Sequence, residues 1–224
     1  PMEPGQREFY RYVGFTIAYS SEGQLLMIRT SVKKYDRQAV LEGMLQTIRY
    51  IMERFGAGGR SIDVIIHYSG KELSYDEELA LEKQIYECQK SLSMEIKYVV
   101  LRIIRDVSYR ITLRSKYGYP YMASYTNIGE KLILVYTNGE LRGAIPLGVP
   151  RPLLISIRLS NLPLIRIARE ALVRSVTELS RMNWRGVGIF NREPVTIKYS
   201  RLSAYLAAAF KEVTGLAPEF LPHD

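Results

Sequence analysis

Ile62-Asp63-Val64-Ile65-Ile66-His67 opens the stretch of sequence that decides the fold. It is short, apolar and rich in β-branched residues, which is typical of a buried strand in a parallel sheet. Ser74-Tyr75-Asp76-Glu77 then has the Ser-x-x-Glu form of a capping box and predicts a helix that runs to about Lys90. A second apolar strand follows at Ile96–Ile104. Two strands joined by a helix imply a crossover connection, so this stretch predicts an α/β sheet.

The residues before this stretch predict a hairpin and a helix. Tyr10–Tyr19 and Gln24–Val32 are aromatic and β-branched runs on either side of a Ser-Ser-Glu-Gly turn, which together indicate a β-hairpin. Asp36 is a candidate N-cap, and apolar residues recur at helical spacing from Val40 to Phe55. This helix is expected to end at the glycine-rich segment 56–59.

The residues after the stretch predict four shorter strands and two helices. Asn138-Gly139 is a hairpin turn signal between the last two strands. No repeat, low-complexity tract or linker interrupts the pattern, so we expect a single domain over residues 1–224, with residues 1–9 as a flexible tail. The strands are expected at Ser108–Leu113, Met122–Asn127, Leu132–Tyr136 and Leu153–Leu159, and the helices at about Pro163–Met182 and Ser200–Thr214.

The composition argues against several classes of protein. No run of 18 or more apolar residues is present, so we expect no transmembrane helix. The polar segment Met2–Arg11 predicts no secretory signal. Cys88 is the only cysteine, and His67 and His223 are far apart in sequence, which argues against an internal disulfide and against a zinc site. We therefore expect a cytoplasmic protein without a metal or other cofactor.

The net charge of +8 is concentrated in the second half of the chain. Residues 102–224 hold 18 lysines and arginines against 9 acidic residues, and 14 of those 18 cations are arginine. Arginine is the cation that binds phosphate or carboxylate in a planar, bidentate way, so this bias favours a nucleic-acid partner. The alternative is an arginine-rich surface of the kind found in thermophilic proteins.

Two segments combine these cations with aromatic side chains, as nucleic-acid grooves do. The first is a basic run from Arg102 to Lys116 with tyrosines interleaved; if Ser108–Leu113 is a strand, Arg110 and Arg114 lie on one face. The second, Met182–Arg201, joins the last two helices and contains the only tryptophan, Trp184. Its cations would gain from the free N–H groups at a helix N-terminus. Its aromatic side chains stack on bases or, alternatively, only pack between the helices.

Three segments, in order along the chain, carry a resemblance to a known family. They are residues 63–70, residues 147–153, and residues 179–184 continued by 191–199. Asp-Val-Ile-Ile-His-Tyr-Ser-Gly is similar to a strand that ends in Arg-Asp-Gly. Leu-Gly-Val-Pro-Arg-Pro-Leu is similar to a Gly-Thr-Pro-Arg-Pro segment. The third resembles the Leu-Asn-Trp … Leu-Pro-Val-Thr-x-x-Tyr ending of archaeal and bacterial members of the family. Their order and spacing resemble the PIWI domain of an archaeal-type Argonaute.

This resemblance implies an RNase H-like PIWI fold, with a mixed β-sheet flanked by helices. Members that cut nucleic acid hold two divalent cations with three Asp or Glu residues and a fourth Asp or His. Here Ser69 stands at the Asp of Arg-Asp-Gly, and Arg201 stands at the fourth position, where a cation would repel metal. The first Asp belongs to a strand that is absent or, if Arg11–Tyr19 is that strand, its position is held by Thr16. The resemblance therefore implies a domain without cleavage activity.

We accordingly expect an inactive PIWI module that binds guide or guide–target nucleic acid, either DNA or RNA. No MID domain fits in the sequence, so the expected partners include a MID-bearing subunit of a split or truncated Argonaute, and a second copy of the chain is a further candidate. The alternatives are a structural or interaction subunit, and a nuclease whose metal site uses Asp63, Glu42 and Glu72 instead. The expected nucleic-acid-binding residues are Arg110, Arg114, Lys116, Arg151, Asn183, Arg185, Arg192, Lys198, Tyr199 and Arg201.

Overall fold

The computed structural model describes residues 13–20, 22, 24–32, 37–55, 61–109, 118–142, 149–162, 169–182 and 191–214. Contacts within the chain divide it into two units. Unit 1 comprises residues 1–60, 75–94 and 199–224, and unit 2 comprises residues 61–74 and 95–198. The expectation of one domain over residues 1–224 remains a prediction.

Unit 1 contains the predicted hairpin and two long helices. Strands β1 (Val13–Tyr19) and β2 (Leu25–Val32) pair antiparallel, and Ser20 closes the turn by accepting the backbone N–H of Gln24 on its hydroxyl at 3.1 Å. Helix α1 (Arg37–Phe55) contacts both strands and helix α2 (Tyr75–Leu92). Buried side chains at helical spacing explain this packing: Leu41, Ile48 and Met52 on α1, as predicted, and Leu81, Ile85 and Cys88 on α2.

Unit 2 is built on a five-stranded mixed sheet. Its strands are β3 (Ser61–Tyr68), β4 (Glu95–Ile104), β5 (Tyr125–Asn127), β6 (Leu132–Val135) and β7 (Leu153–Ser160), in the spatial order β3-β4-β7-β6-β5. The pair β3–β4 is parallel and every other pair is antiparallel. The predicted α/β class with a mixed sheet is therefore confirmed.

One face of this sheet carries the core of unit 2. Helix α3 (Arg169–Arg181) and the first turn of helix α4 (Val195–Thr214) pack their apolar side chains there. Helix α4 continues from residue 199 into unit 1. The core consists of Val99, Leu101, Ile103, Ile133, Val135, Leu153, Ile155, Ile157, Leu172, Val173, Val176 and Ile197.

An asparagine completes the hydrogen bonding of β4 where its partner strand ends. The β4–β7 register shifts between Val100 and Leu101, and β7 stops at Ser160. The side chain of Asn161 then accepts the backbone N–H of Tyr98 at 2.9 Å and donates to the carbonyl oxygen of Ile96 at 2.6 Å. Because backbone groups that lose their ladder partner must be satisfied otherwise, Asn161 allows β4 to extend beyond β7.

Three local expectations differ from the structure. Strand β3 is parallel to β4 but is not buried: it is the edge strand of the described sheet, and Ile65 is 46% exposed. Asn138-Gly139 does not connect β6 directly to β7. A Cβ atom on Gly139 would lie 2.3 Å from the carbonyl oxygen of Pro120, so the glycine is required by a close backbone crossing.

The third difference concerns α4, which begins at Val195 rather than at about Ser200. The carbonyl oxygen of Pro194 accepts the N–H groups of Ile197 and Lys198, each at 2.9 Å, and so starts the helix. A proline suits this place because its fixed φ and missing N–H cost nothing at a helix start. Predicted strand Ser108–Leu113 and the start of predicted helix Pro163–Met182 lie largely outside the described residues. None of the helices described is long and apolar enough to cross a membrane.

Candidate nucleic-acid interface

Arg192 lies at the centre of a hydrogen-bonded cluster of unit 2. The segment 191–194 leads into α4, and the Arg192 guanidinium reaches from it to the ends of two strands. Its Nη2 donates to the carbonyl oxygen of Arg105, which follows β4, and at 2.9 Å to that of Pro152, which precedes β7. One side chain thus provides hydrogen bonds for two backbone carbonyl oxygens that lie just beyond the ends of strands.

The backbone of Arg192 is held as firmly as its side chain. Its carbonyl oxygen accepts the Thr137 hydroxyl at 2.6 Å and lies 3.3 Å from the Ser180 hydroxyl. Both hydroxyl-bearing residues are completely buried. Thr137 follows β6 and Ser180 lies on α3, so the segment before α4 is fixed to the sheet and to a helix at once. We call Arg192, Arg105, Pro152, Thr137 and Ser180 the Arg192 cluster.

Neighbouring charges act on the Arg192 guanidinium. Burial lowers the pKa of the Arg192 guanidinium. The negative charges of Asp106 and Glu193 act in the opposite direction, whereas the positive charges of Arg151 and Arg105 lower this pKa further. Glu193 is itself paired, since its Oε1 accepts from Arg105 Nη1 at 2.8 Å. Arg192 was predicted to bind phosphate; in the structure its Nη2 is engaged with carbonyl oxygens, and its phosphate-binding role remains a prediction.

Arg151 is the exposed cation of this region. It lies between Pro150 and Pro152, and among the described residues it makes no hydrogen bond or ion pair. Its charge is close enough to Arg192 to lower the pKa of that guanidinium. Of the predicted phosphate ligands that the structure describes in unit 2, Arg151 is therefore the one most accessible to a ligand.

The first turn of α4 carries Lys198 and contacts a half-buried histidine. Lys198 Nζ donates to the Asn191 side-chain oxygen at 3.4 Å. Thr196 Oγ1 lies 3.0 Å from His67 Nδ1, whereas His67 Nε2 is buried without a hydrogen-bond partner. Burial lowers the pKa of His67 to about 4, so the ring is neutral at pH 7. His67 thus lies near the core, and we interpret it as a packing residue.

Two predicted ligands, Tyr199 and Arg201, lie in the part of α4 that belongs to unit 1. Both side chains are half-buried. Burial of Tyr19, together with the nearby Tyr199 phenol, raises the pKa of Tyr19 to about 12. The Arg201 guanidinium lies over the Tyr205 ring, 5.9 Å from its centroid, which is within the range of a cation–π contact. The remaining predicted ligands lie outside the described residues: Arg110, Arg114, Lys116, Asn183 and Arg185.

A second arginine cluster surrounds the loop after β3, where Ser69 is exposed. Arg102, on β4, donates through Nε and Nη2 to the carbonyl oxygen of Gly70, at 3.0 and 2.8 Å. Its Nη1 pairs with Glu72 Oε2 at 3.4 Å, and Arg158 Nη1, from β7, pairs with Glu72 Oε1. We call Gly70, Glu72, Arg102 and Arg158 the Glu72 cluster.

Sequence reasoning missed Arg158 and the pairing of Glu72, although a signal for both was present. Arg102 and Arg158 each interrupt an otherwise apolar strand, Val-Val-Leu-Arg-Ile-Ile and Leu-Ile-Ser-Ile-Arg-Leu. An arginine in such a strand requires a partner, because a largely buried charge without one is costly. The acidic residue in the loop after β3, Glu72, could have been assigned to them on this basis.

Comparison with known proteins gives a likeness of fold. No family model and no curated protein matches the sequence. The solved structure of Aa-Ago with externally bound siRNA is similar over 95% of this chain, with a TM-score of 0.59 and 15% identity. The Aquifex aeolicus Argonaute structure is similar over 95% of the chain, with a TM-score of 0.56 and 16% identity.

A third similar structure is Marinitoga piezophila Argonaute in complex with a 5′-hydroxyl guide RNA and target DNA. It matches 89% of this chain with a TM-score of 0.55 and 12% identity. The chain covers only 29%, 29% and 30% of the three structures, so it corresponds to less than a third of their length. The predicted fold class is confirmed by these similarities: the chain has an Argonaute-like fold, built on a mixed α/β sheet.

Proposed function

We propose that this chain is a PIWI-like module that binds guide or guide–target nucleic acid and does not cut it. The observation that carries the proposal is its Argonaute-like fold combined with residues unsuited to metal binding. The sequence resemblance implies that Ser69 and Arg201 stand at two positions where cutting members have metal-binding residues. A hydroxyl and a cation can hold a phosphate backbone, but they cannot replace the carboxylates that bind divalent cations.

The residues near Ser69 support binding in preference to cleavage. Glu72, one of the carboxylates considered for a displaced metal site, already has one arginine on each of its oxygens. Asp63, another of them, is exposed near the start of β3, whereas Ser69 follows the end of that strand. The described ranges contain no group of three or more His, Cys, Asp or Glu residues that could hold a metal.

Partners of this module are inferred from its resemblance to the PIWI domain of an archaeal-type Argonaute. We propose that it works with a MID-bearing partner, as part of a split or truncated Argonaute. The exposed Arg151 and the cations of the second half of the chain would bind the nucleic-acid backbone. A second copy of the chain remains an alternative partner.

Salt-dependent binding of short oligonucleotides tests the proposal. The full chain is titrated against fluorescent single strands and duplexes of RNA and DNA at several salt concentrations. We expect the logarithm of the affinity to fall with the logarithm of the salt concentration, with a slope of roughly −0.7 per phosphate contact for single strands. Absence of binding at low salt would overturn the proposal.

Variants and a cleavage assay sharpen this test. Arg151→Ala should weaken binding and reduce the slope by about one phosphate contact. Arg174→Ala is the matched control, because Arg174 is an exposed arginine of α3 that is paired with Glu178 at 2.8 Å. Incubation of a guide and a labelled complementary strand with Mg²⁺ or Mn²⁺ should leave that strand intact; specific cleavage would contradict the proposed lack of activity.

A second candidate function, an interaction subunit, is favoured by one helix of unit 1. Tyr75, Leu79 and Tyr86 lie on one face of α2, at spacings of four and eleven residues, and each is more than half exposed. Large apolar side chains grouped on a surface commonly mark a protein interface. Purification of the chain from its own cells discriminates the two: bound short strands of uniform length support the module, whereas a protein partner without nucleic acid supports the subunit.

A further inference from the structure

The Glu72 cluster places two arginines on one exposed carboxylate. Arg102 and Arg158 come from neighbouring strands, β4 and β7, and their side chains are 21% and 24% exposed, whereas that of Glu72 is 52% exposed. Each carboxylate oxygen interacts with a different guanidinium. The arrangement carries two positive charges against one negative charge, in a part of the chain that is accessible to solvent.

The β4–β7 pairing explains why Arg158 reaches this position. Leu101 pairs with Ile157 and Val100 pairs with Leu159, so Arg158 is the extra residue where the register shifts. Leu101 and Ile157 both belong to the core, so Arg102 and Arg158, one residue further along each strand, lie on the opposite face by the normal alternation of a strand. Arg158 therefore joins Arg102, although the two residues are not opposite each other in the ladder.

Arg102 is held in place independently of Glu72. Its Nε and Nη2 donate to the carbonyl oxygen of Gly70, and only Nη1 is directed at the carboxylate. Gly70 has a φ of 122°, a conformation that glycine adopts far more readily than other residues. The guanidinium of Arg102 would thus keep its orientation if another anion replaced the Glu72 carboxylate.

Glu72 is in turn easy to replace. An exposed carboxylate on a flexible side chain gains little from its ion pairs, because water screens them and holding the side chain costs entropy. Two guanidiniums that share two oxygens are also arranged as they would be around the two free oxygens of a phosphodiester. The carboxylate therefore occupies a place whose chemistry suits a phosphate.

We propose that Arg102 and Arg158 form a phosphate-binding pair. Without ligand, the Glu72 carboxylate occupies this pair, and a nucleic-acid phosphate binds by displacing the carboxylate. The inference rests on the proposed function, and it names a binding site that adjoins the exposed Ser69. Glu72 then acts as an internal competitor. It weakens binding of single phosphates and leaves the site to ligands that bring several phosphates at once.

Neutralisation of Glu72 tests the pair most directly. We expect Glu72→Gln to raise the affinity for a single-stranded 12-mer by about threefold to tenfold, because the competing carboxylate is lost. Glu178→Gln is the matched control, since it also removes a carboxylate from an arginine of unit 2, and it should change the affinity less than twofold. An equal gain in both variants would be a general charge effect and would overturn the inference.

Removal of Arg158 tests the pair from the other side. Arg158→Met should weaken binding and make the salt slope shallower by roughly 0.7 for a single strand. In the double variant Glu72→Gln/Arg158→Met, the Glu72→Gln substitution should no longer improve binding. Arg158→Lys keeps the charge and should restore part of the affinity if Arg158→Met folds poorly. Wild-type binding by a correctly folded Arg158→Met would overturn the inference.

The source of the phosphate is resolved by changing the ligand. Equal gains of Glu72→Gln for 5′-hydroxyl and 5′-phosphorylated strands assign the site to the backbone, whereas a gain only with the 5′-phosphate assigns it to the strand end; either result supports the pair. If no form of the protein binds nucleic acid, the proposed function fails. Inorganic phosphate then decides the inference: it should raise the melting temperature of Glu72→Gln more than that of the double variant, and equal shifts would overturn it.

Discussion

The two arginine clusters of unit 2 use the same side chain for different purposes. In the Arg192 cluster, the guanidinium donates to the backbone carbonyl oxygens of Arg105 and Pro152, and buried hydroxyls fix its own backbone. In the Glu72 cluster, Arg102 and Arg158 share an exposed carboxylate. The acceptor makes the difference, because a backbone carbonyl cannot leave its place, whereas a glutamate side chain can turn into solvent.

The arginines of the basic second half of the chain therefore have two different roles: some stabilise the fold, and others can bind a ligand. An arginine that satisfies partly buried carbonyls stabilises the fold and has few donors left for a ligand. An arginine paired with an exposed carboxylate contributes little to stability and can exchange its partner. The free energy of unfolding of single-residue variants distinguishes the two kinds of arginine.

Arg192→Met should reduce the free energy of unfolding by about 3 kcal/mol. The substitution keeps much of the aliphatic volume but leaves the carbonyl oxygens of Arg105 and Pro152 without their donor, and unsatisfied buried polar groups cost about 1–3 kcal/mol each. Urea denaturation measures the change. Arg151→Met is the control, since Arg151 is exposed and should change stability by less than about 0.5 kcal/mol. Similar values for the two variants would refute the supporting role of Arg192.

Acid should lower the free energy of unfolding through protonation of His67, which contacts Thr196 in the first turn of α4. The folded pKa of about 4 lies below the ordinary value of 6.5, so the unfolded chain binds a proton first as the pH falls. The contribution of neutral His67 is fully present above pH 6.5. It is lost on the way to pH 4 at a rate of about 1.4 kcal/mol per pH unit.

The measurement compares unfolding curves of the wild type and His67→Asn between pH 7 and pH 4. Asparagine places a side-chain oxygen near the position of Nδ1 and can keep the contact with Thr196 without titrating. The variant should therefore lose stability less steeply with falling pH than the wild type. Parallel pH profiles would show that His67 is not responsible for this acid sensitivity.

Thr137→Val isolates one hydrogen bond of the Arg192 cluster. Valine has nearly the same shape but cannot donate to the Arg192 carbonyl oxygen, so the free energy of unfolding should fall by about 1–2 kcal/mol. Ser180→Ala is the control: the Ser180 hydroxyl has a nearer acceptor, the Val176 carbonyl oxygen at 2.7 Å, and alanine favours the helix. A larger loss for Ser180→Ala, measured in urea, would reverse the assigned roles.

How far the sequence predicts this molecule depends on the range of the interactions involved. Hydrophobic periodicity and the capping box located the hairpin, α1, α2 and β4, because those signals act over a few residues. The edge position of β3 was not predictable in this way, since it depends on which strands lie next to it. The early start of α4 was missed although Pro194, a local signal, was present.

The candidate site shows the same limit more strongly. The sequence shows how many cations the second half of the chain has, but their partners are far away in sequence. Arg192 donates hydrogen bonds to Pro152 and Arg105, and Glu72 pairs with Arg158. Charge alone therefore predicts a nucleic-acid partner and does not say which arginines are already used by the fold. Only the sheet order, which brings β4 beside β7, makes that distinction.

Glu72→Gln should have the smallest effect on stability, a change within about 1 kcal/mol in either direction. The side chain is 52% exposed, so loss of its charge removes screened ion pairs, and the amide can still accept a hydrogen bond from one guanidinium. Urea denaturation at low and high salt measures the change, with Glu178→Gln as the exposed reference. A loss of several kcal/mol would mean that Glu72 supports the fold as Arg192 does, and the distinction between the two clusters would then disappear. A small loss leaves the carboxylate free to exchange, because a partner that contributes little to folding can be given up for a ligand without unfolding the strands that carry the arginines.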